Sequence, residues 1–256
     1  MVDAATVAMF LGFTAWGAAV GAVVGFTAIG KGLLGTPGLM VLFGMGVVPA
    51  VGTMAVAGFA MMIAGTVQHY REGHVVTPVA VLFSITAVPF SYATARYARE
   101  INEMVPLQSV IGVVIVLSVV LLFYRYVIMR PKPRLLALPL WKLWLTPFLG
   151  VVLGTLLGAT SISGSIIVIA FILMLRLPSP HAVGTTSAVA AVSLAVASVA
   201  HMQQGNIDWF ALAGLLPGVM AGAAIGARYV SRVPRQALRI AILLILLAAG
   251  VMVLLG

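Results

Sequence analysis

Residues 32–70 read GLLGTPGLMVLFGMGVVPAVGTMAVAGFAMMIAGTVQHY, and not one of them is Asp, Glu, Lys or Arg. As a single helix this stretch would be about 58 Å long, against a hydrocarbon core of about 30 Å. It has to be two membrane segments, one near 33–47 and one near 50–68. Outward from it, residues 75–95, 104–124, 143–175, 177–207, 209–227 and 240–256 are uncharged as well. Of the 256 residues, 62% are hydrophobic and 7% charged, whereas a soluble domain carries about a quarter charged residues. The chain is predicted to be an all-α integral membrane protein. The first thirty residues lack a basic n-region and read as a retained first span rather than a signal peptide.

The net charge of +9 does not point to nucleic acid, because the basic residues sit at span ends rather than in one patch. With no cysteine, disulfides and thiolate metal sites are excluded. Four histidines and five acids are spread along the chain, so neither a metal site nor a catalytic cluster is expected, and no cofactor. Gly25 and Gly30 have the outer spacing of a nucleotide-binding loop, but Gly32 follows Lys31 where Ser or Thr is required. ATP drive by this chain is not expected, and an enzyme is the last of the function classes.

The chain repeats itself. A shift of about 133 residues lays Gly21, Gly25, Thr27 and Ile29 on Gly154, Gly158, Thr160 and Ile162. A shift of 132 lays Ala50-Val51-Gly52-Thr53 on Ala182-Val183-Gly184-Thr185, His69 on His201 and Gly73 on Gly205. The same shift lays Ala95-Arg96-Tyr97 on Ala227-Arg228-Tyr229. Matches of Ala or Val alone carry little weight between apolar helices, but a His and two mixed blocks in constant register do. The expected organisation is a first membrane repeat at 1–128, a basic cytoplasmic linker at 129–141 and a second membrane repeat at 142–256, together one transport domain.

Each repeat has about five hydrophobic segments, 8–10 membrane segments in all. The first two of each form a broken or re-entrant hairpin, interrupted at Gly30-Lys31-Gly32 with Pro37 and at Thr160-Ser161-Ile162-Ser163-Gly164-Ser165. An odd segment number inverts the second repeat. With the linker in the cytoplasm, Arg71, Arg176 and the cluster Arg228, Arg232, Arg235 and Arg239 also fall there, as positive charge should. Both termini and the loop at 201–208, free of Lys and Arg, fall outside. The loop at 96–104 is also outside, where Glu100 and Glu103 offset Arg96 and Arg99.

Inverted repeats broken at matching places are the sequence pattern of secondary transporters. Unwound backbone in a membrane must be satisfied by protein or by a water-filled cavity. The helix N-termini at a break carry free N–H donors that suit an anion. Lys31 is the only cation in the first 70 residues. Thr27, Thr160, Ser161, Ser163 and Ser165 bring hydroxyls to the breaks, and Thr53, Thr185 and Thr186 bring more near the next segments. All five acids lie at predicted span ends, so the interior offers donors but no fixed negative charge, which selects an anion over a cation. The expected substrate site is Thr27, Gly30, Lys31, Gly32, Thr53, Thr160, Ser161, Ser163, Ser165, Thr185 and Thr186.

Together these residues resemble the TauE/SafE sulfite exporter family, small bacterial permeases for sulfur-containing anions. The resemblance spans nearly the whole chain. It rests on the paired Gly-x3-Gly at Gly21/Gly25 and Gly154/Gly158, on Ala50–Thr53 and Ala182–Thr185, and on His69/Gly73/Val75 with His201/Gly205/Ile207. It implies export of sulfite or of an organosulfonate such as sulfoacetate across the bacterial inner membrane. Where the family's break usually reads Gly-Gly-Gly, this chain has Ile29-Gly30-Lys31-Gly32 and Ser161–Ser165.

Duller roles compete for the same residues. Gly, Ser and Thr serve close helix packing in membranes, and Lys31 could snorkel to an interface. His69 and His201 are candidates for a proton relay or simply for interfacial helix ends. An anion channel, and a scaffold or assembly factor that transports nothing, are the alternative functions. The lipid bilayer and a small anion are the expected partners, and the sequence leaves room for a homo-oligomer.

Overall fold

In a computed structural model the chain is described at residues 3–27, 31–124, 140–162, 164–229 and 235–255. Gly30, Ser163 and residues 129–139 of the expected linker lie outside these. So do the side chains of Thr27 and Lys31, whose backbones end one helix and begin the next.

All regular structure among the described residues is helical: α1 (Ala4–Thr27), α2 (Lys31–Phe43), α3 (Val47–Arg71), α4 (Thr77–Arg96), α5 (Ala98–Met104), α6 (Leu107–Phe123), α7 (Leu140–Thr160), α8 (Gly164–Leu173), α9 (Ser179–Gln203), α10 (Trp209–Tyr229) and α11 (Arg235–Leu255). Six of them are long and apolar enough to cross a bilayer, and a seventh crossing comes from α5 and α6 taken as one span bent by 88°. With 13 residues α2 is about 20 Å long, and with 10 residues α8 is about 15 Å. Neither reaches across about 30 Å of hydrocarbon. The charge-free run at 32–70 divides as expected, into α2 and α3. The segment not anticipated is α5, whose sequence AREINEM carries three charges and was read as loop. Pro106 cannot extend a helix back into it, and Asn102 accepts the Leu107 N–H at 3.0 Å, which sets the corner between α5 and α6.

Small residues determine the packing. Along α10, Gly218, Gly222 and Gly226 rest against the carbonyls of Thr14, Ala18 and Ala22 of α1, while Gly17 and Gly21 of α1 rest on Leu215 and Val219. Numbers rise together along both helices, so α1 and α10 run parallel with their backbones in contact. The same arrangement recurs between α7 and α4, where Gly150, Gly154 and Gly158 meet Phe83, Ala87 and Ser91. There the buried Ser91 also donates to the Gly154 carbonyl at 2.9 Å, and Thr86 to that of Pro147 at 2.7 Å. Without a hydrophobic drive between helices in lipid, such close backbone contact and interhelical hydrogen bonds supply the attraction. The Gly-x3-Gly positions Gly21, Gly154 and Gly158 thus act as packing residues between distant parts of the chain.

The loops after α3 and α9 are built alike, residue for residue at a shift of 132. Each helix ends in a left-handed glycine, Gly73 at φ 71° and Gly205 at φ 64°. The Gly73 N–H bonds the Tyr70 carbonyl and the His74 N–H that of His69; Gly205 and Asn206 repeat this on Met202 and His201. This is a Schellman termination, in which the residue after the glycine returns to the carbonyl five positions back. The His-x3-Gly pattern is therefore a helix-ending motif. The turns after α2 and α8 match too, with Gly44 at φ 62° and Arg176 at φ 58°. Met45 bonds back to Leu39 there, and Leu177 to Phe171.

Candidate functional site

The block Ala-Val-Gly-Thr opens α3 and α9, and each copy holds the far end of the other helix. A Cβ on Gly52 would lie 2.1 Å from the Asn206 carbonyl oxygen, and one on Gly184 would lie 2.7 Å from that of His74. Only glycine lets the two loops come so near. Next to them, the Thr53 hydroxyl oxygen accepts the Asp208 N–H at 3.0 Å, and Thr185 accepts the Val76 N–H at 2.9 Å. The start of α3 meets the end of α9, and the start of α9 meets the end of α3, so the two run antiparallel. Thr53 and Thr185 are fully buried at opposite ends of this pair.

The two breaks do meet. A Cβ on Gly32 would stand 2.4 Å from the Ser161 carbonyl oxygen and 2.7 Å from the Ile162 Cα, so backbone lies against backbone. Ser161 adopts φ 56° and donates its buried hydroxyl to the Val51 carbonyl at 2.7 Å. The second break is thereby tied to the start of α3. Thr160 donates to Leu156 at 2.6 Å and accepts the Ile162 N–H at 3.2 Å, which satisfies the unwound turn locally. The hydroxyls of Thr160 and Ser161 are occupied in holding the break open rather than free for a ligand.

Ser165 and Thr186 differ. Both are buried, and among the described residues neither hydroxyl has a partner. A buried hydroxyl left unsatisfied costs on the order of 1–3 kcal/mol, so water or a ligand is expected there. The sequence reading missed two further orphan donors, Thr36 on α2 and the Trp16 indole N–H on α1. Trp16 packs against the cluster that holds Leu33, Val51 and Ile162, and its ring fills the space beside Gly38. An open cleft of about 580 Å³ lies elsewhere, at the α2–α3 corner between Met40, Met45, Gln108 and Met252, and holds none of the expected site residues.

The chain belongs to the TauE/SafE sulfite exporter family. The sequence profile of that family, described as "Sulfite exporter TauE/SafE", matches residues 13–253. The probable membrane transporter protein YdhB of Bacillus subtilis (strain 168) is 29% identical over 241 residues, covering 92% of this chain and 96% of the relative. The probable membrane transporter protein YjnA of the same organism is 29% identical over 245 residues, covering 90% of this chain and 94% of the relative. No solved structure matches the chain. It is a multi-pass membrane protein of a transporter family.

The two histidines of the proposed relay lie at opposite ends of the α3–α9 pair, His201 at the end where Ser161 is tied to Val51. His69, at the end of α3, lies with Glu72 and His74 in the loop that follows, and the His181 ring of α9 stands 5.5 Å from that of His74. His201 is wholly buried at the other end of the α3–α9 pair, its Nδ1 3.5 Å from the Asn206 amide. The two candidates for a proton relay are therefore not neighbours. The expectation that His and acidic residues stay scattered also fails here: three histidines and one glutamate converge on one corner, because two helix ends cross there.

Arg99 donates to Asn206 at 2.7 Å, and Arg96 and Tyr92 both reach Gln203. The two arginines of the 96–104 loop are thus engaged by amides of the 201–208 loop. Among the described residues no ion pair joins them to Glu100 or Glu103.

Proposed function

We propose that this TauE/SafE transporter exports a small anion, sulfite or an organosulfonate such as sulfoacetate, by alternating access around the place where its two breaks meet. The observation that carries the reading is the contact of Gly32 with Ser161 and Ile162, with the unpartnered buried hydroxyl of Ser165 one turn beyond the second break. Two half-helices, α2 and α8, begin at these breaks, and their first N–H groups have no carbonyl within the helix to bond. Such helix starts attract negative charge. Lys31 is the first residue of α2, and its ammonium would add a full positive charge to the first of them. Ser165 would donate to the anion, with Trp16 and Thr36 as further donors on the α1–α2 side, while Thr186, next to Thr185, lies at the opposite end of the α3–α9 pair. Thr27, Gly30 and Ser163 complete the expected site.

The halves 1–128 and 142–256 are read as inverted repeats of one transport domain, joined by a cytoplasmic linker. Three relations support this. The equivalent helices α3 and α9 run antiparallel, the pair α1–α10 is the counterpart of α7–α4, and the loops expected outside, 96–104 and 201–208, touch. In a bacterial inner membrane both termini would then face outward. Export as the direction rests on the family's description as sulfite exporters. His69 and His201, one at each end of the α3–α9 pair, would each serve proton exchange with one side.

Counterflow in liposomes tests the proposal. Saturable exchange of sulfite or sulfoacetate is expected, with the half-saturating concentration raised about tenfold or more in Lys31→Ala, the loss of one charge-assisted contact of about 1.5–3 kcal/mol. Folded protein that exchanges none of these anions overturns the substrate; an unchanged affinity in Lys31→Ala overturns the role of Lys31.

A further inference from the structure

The corner between α3 and α4 carries more than the proton exchange proposed for His69. His69, Glu72 and His74 each offer one ligand atom, and the three atoms lie within 4.8 Å of one another. The Glu72 carboxylate oxygen is 3.1 Å from His74 Nδ1 and 3.8 Å from His69 Nδ1. Donors bound tetrahedrally at about 2.0–2.2 Å lie roughly 3.3–3.6 Å from each other, so small side-chain adjustments bring all three onto one ion. His69 Nδ1 is buried and without a hydrogen-bond partner among the described residues. We propose that His69, Glu72 and His74 bind a single transition-metal ion of the zinc class, with water in the open position.

The second half of the chain provides the comparison. The same Schellman turn follows α9, with the same backbone bonds, yet it carries Gln204 where Glu72 stands and Asn206 where His74 stands. The turn therefore does not require a carboxylate or a second imidazole. His201, the counterpart of His69, is there paired with an amide, and Arg99 occupies the other side of that amide. One repeat has ligand chemistry where the other has neutral hydrogen bonding, on one backbone. Exposure fits as well: the side chains of His69, Glu72 and His74 are 24%, 41% and 31% accessible, open enough for an ion to enter from water. Glu72 is held below the ordinary carboxylate range by the Gln68 side-chain amide, and further by His69 and His74, so it is an anion at neutral pH. Two imidazoles and one carboxylate are a set that zinc accepts with a water as the fourth ligand.

The ion would sit on the clasp between the halves. The Val76 N–H and the His74 carbonyl of this corner rest on Thr185 and Gly184 at the start of α9. His181, on the same turn of α9, has a buried Nδ1 with no partner among the described residues and lies edge-on to the His74 ring. Occupancy would stiffen residues 69–76 against α9, which makes the site a means of holding the two halves together from one side of the membrane.

Equilibrium dialysis of the purified full-length protein in detergent against zinc chloride tests this. One saturable zinc ion per chain is expected. Glu72→Gln and His74→Asn, which install the residues of the second repeat, should each weaken it at least tenfold with the elution profile and melting midpoint of the metal-free protein unchanged. In hydrogen exchange, zinc should slow the amides of residues 72–76 in the parent and not in the variants. Absence of saturable binding, or equal affinity in both variants, overturns the site. Anion counterflow in metal-free liposomes reports on the transport reading separately, since Glu72 and His74, the residues varied, have no part in the proposed transport.

Discussion

Replacing Gly52 by alanine should damage the protein more than replacing Gly184, although the two occupy equivalent places. A Cβ at Gly52 would be 2.1 Å from the Asn206 oxygen, and one at Gly184 would be 2.7 Å from the His74 oxygen. Ordinary contact begins at 3.4 Å, so the loops must retreat by roughly 1.3 Å in the first case and roughly 0.7 Å in the second. Overpacking of this kind costs about 1–3 kcal/mol, with the larger displacement at the upper end. Retreat of the 206–208 loop also lengthens the Thr53–Asp208 hydrogen bond beyond use, a further loss of about 0.5–1.5 kcal/mol. Alanine in place of a helical glycine returns up to about 1 kcal/mol. At Gly184 the same reasoning stretches the 2.9 Å Thr185–Val76 bond, so the net destabilisation is about 2–3 kcal/mol for Gly52→Ala and about 0.5–1.5 kcal/mol for Gly184→Ala. Thermal unfolding of the purified protein in detergent, followed by loss of the monodisperse elution peak, gives the order. Equal midpoints for the two variants, or a lower one for Gly184→Ala, would refute the reasoning that distance of approach determines the cost. Thr53→Val, which leaves the Asp208 N–H without its acceptor, should by itself lower the midpoint, by about 1–3 kcal/mol of stability.

Other outcomes follow from single contacts. Ser165→Ala and Thr186→Val remove buried hydroxyls that have no described partner, so the resting protein should be as stable as the parent or more so. In counterflow Ser165→Ala should weaken anion binding about threefold to tenfold, and unchanged affinity in it would place the anion elsewhere. Arg176→Gly relieves a left-handed residue at φ 58° and should raise the melting midpoint, by about 1 kcal/mol of stability; a lowered midpoint would mean that the arginine side chain holds this turn.

The site and the fold were legible to different depths. The positions of both breaks could be read because Gly30-Lys31-Gly32 and Thr160–Ser165 interrupt apolar runs locally, and the half-helices that follow begin where expected. That Gly32 lies on Ser161 could not be read, since the contact joins residues more than a hundred positions apart. That the Thr53 and Thr185 oxygens accept from the loops after α9 and α3 could not be read either, since these contacts also join residues more than a hundred positions apart. Thr36 and Trp16 were passed over because nothing in sequence distinguishes a buried orphan donor from an ordinary membrane hydroxyl or indole. The corner at α5 was missed because its seven residues have too little length for a helical pattern to register.

By itself the sequence determined that the chain is a helical membrane protein and where its long charge-free runs lie. These are properties of composition and run length, which a linear chain carries without folding. Tertiary structure alone decided that His69, Glu72, His74 and His181 share a corner, that the paired glycines serve backbone contact, and that the hydroxyls divide into occupied and unoccupied sets. Such facts depend on how two antiparallel helix ends cross, and the crossing is set by packing between residues that sequence spacing keeps far apart.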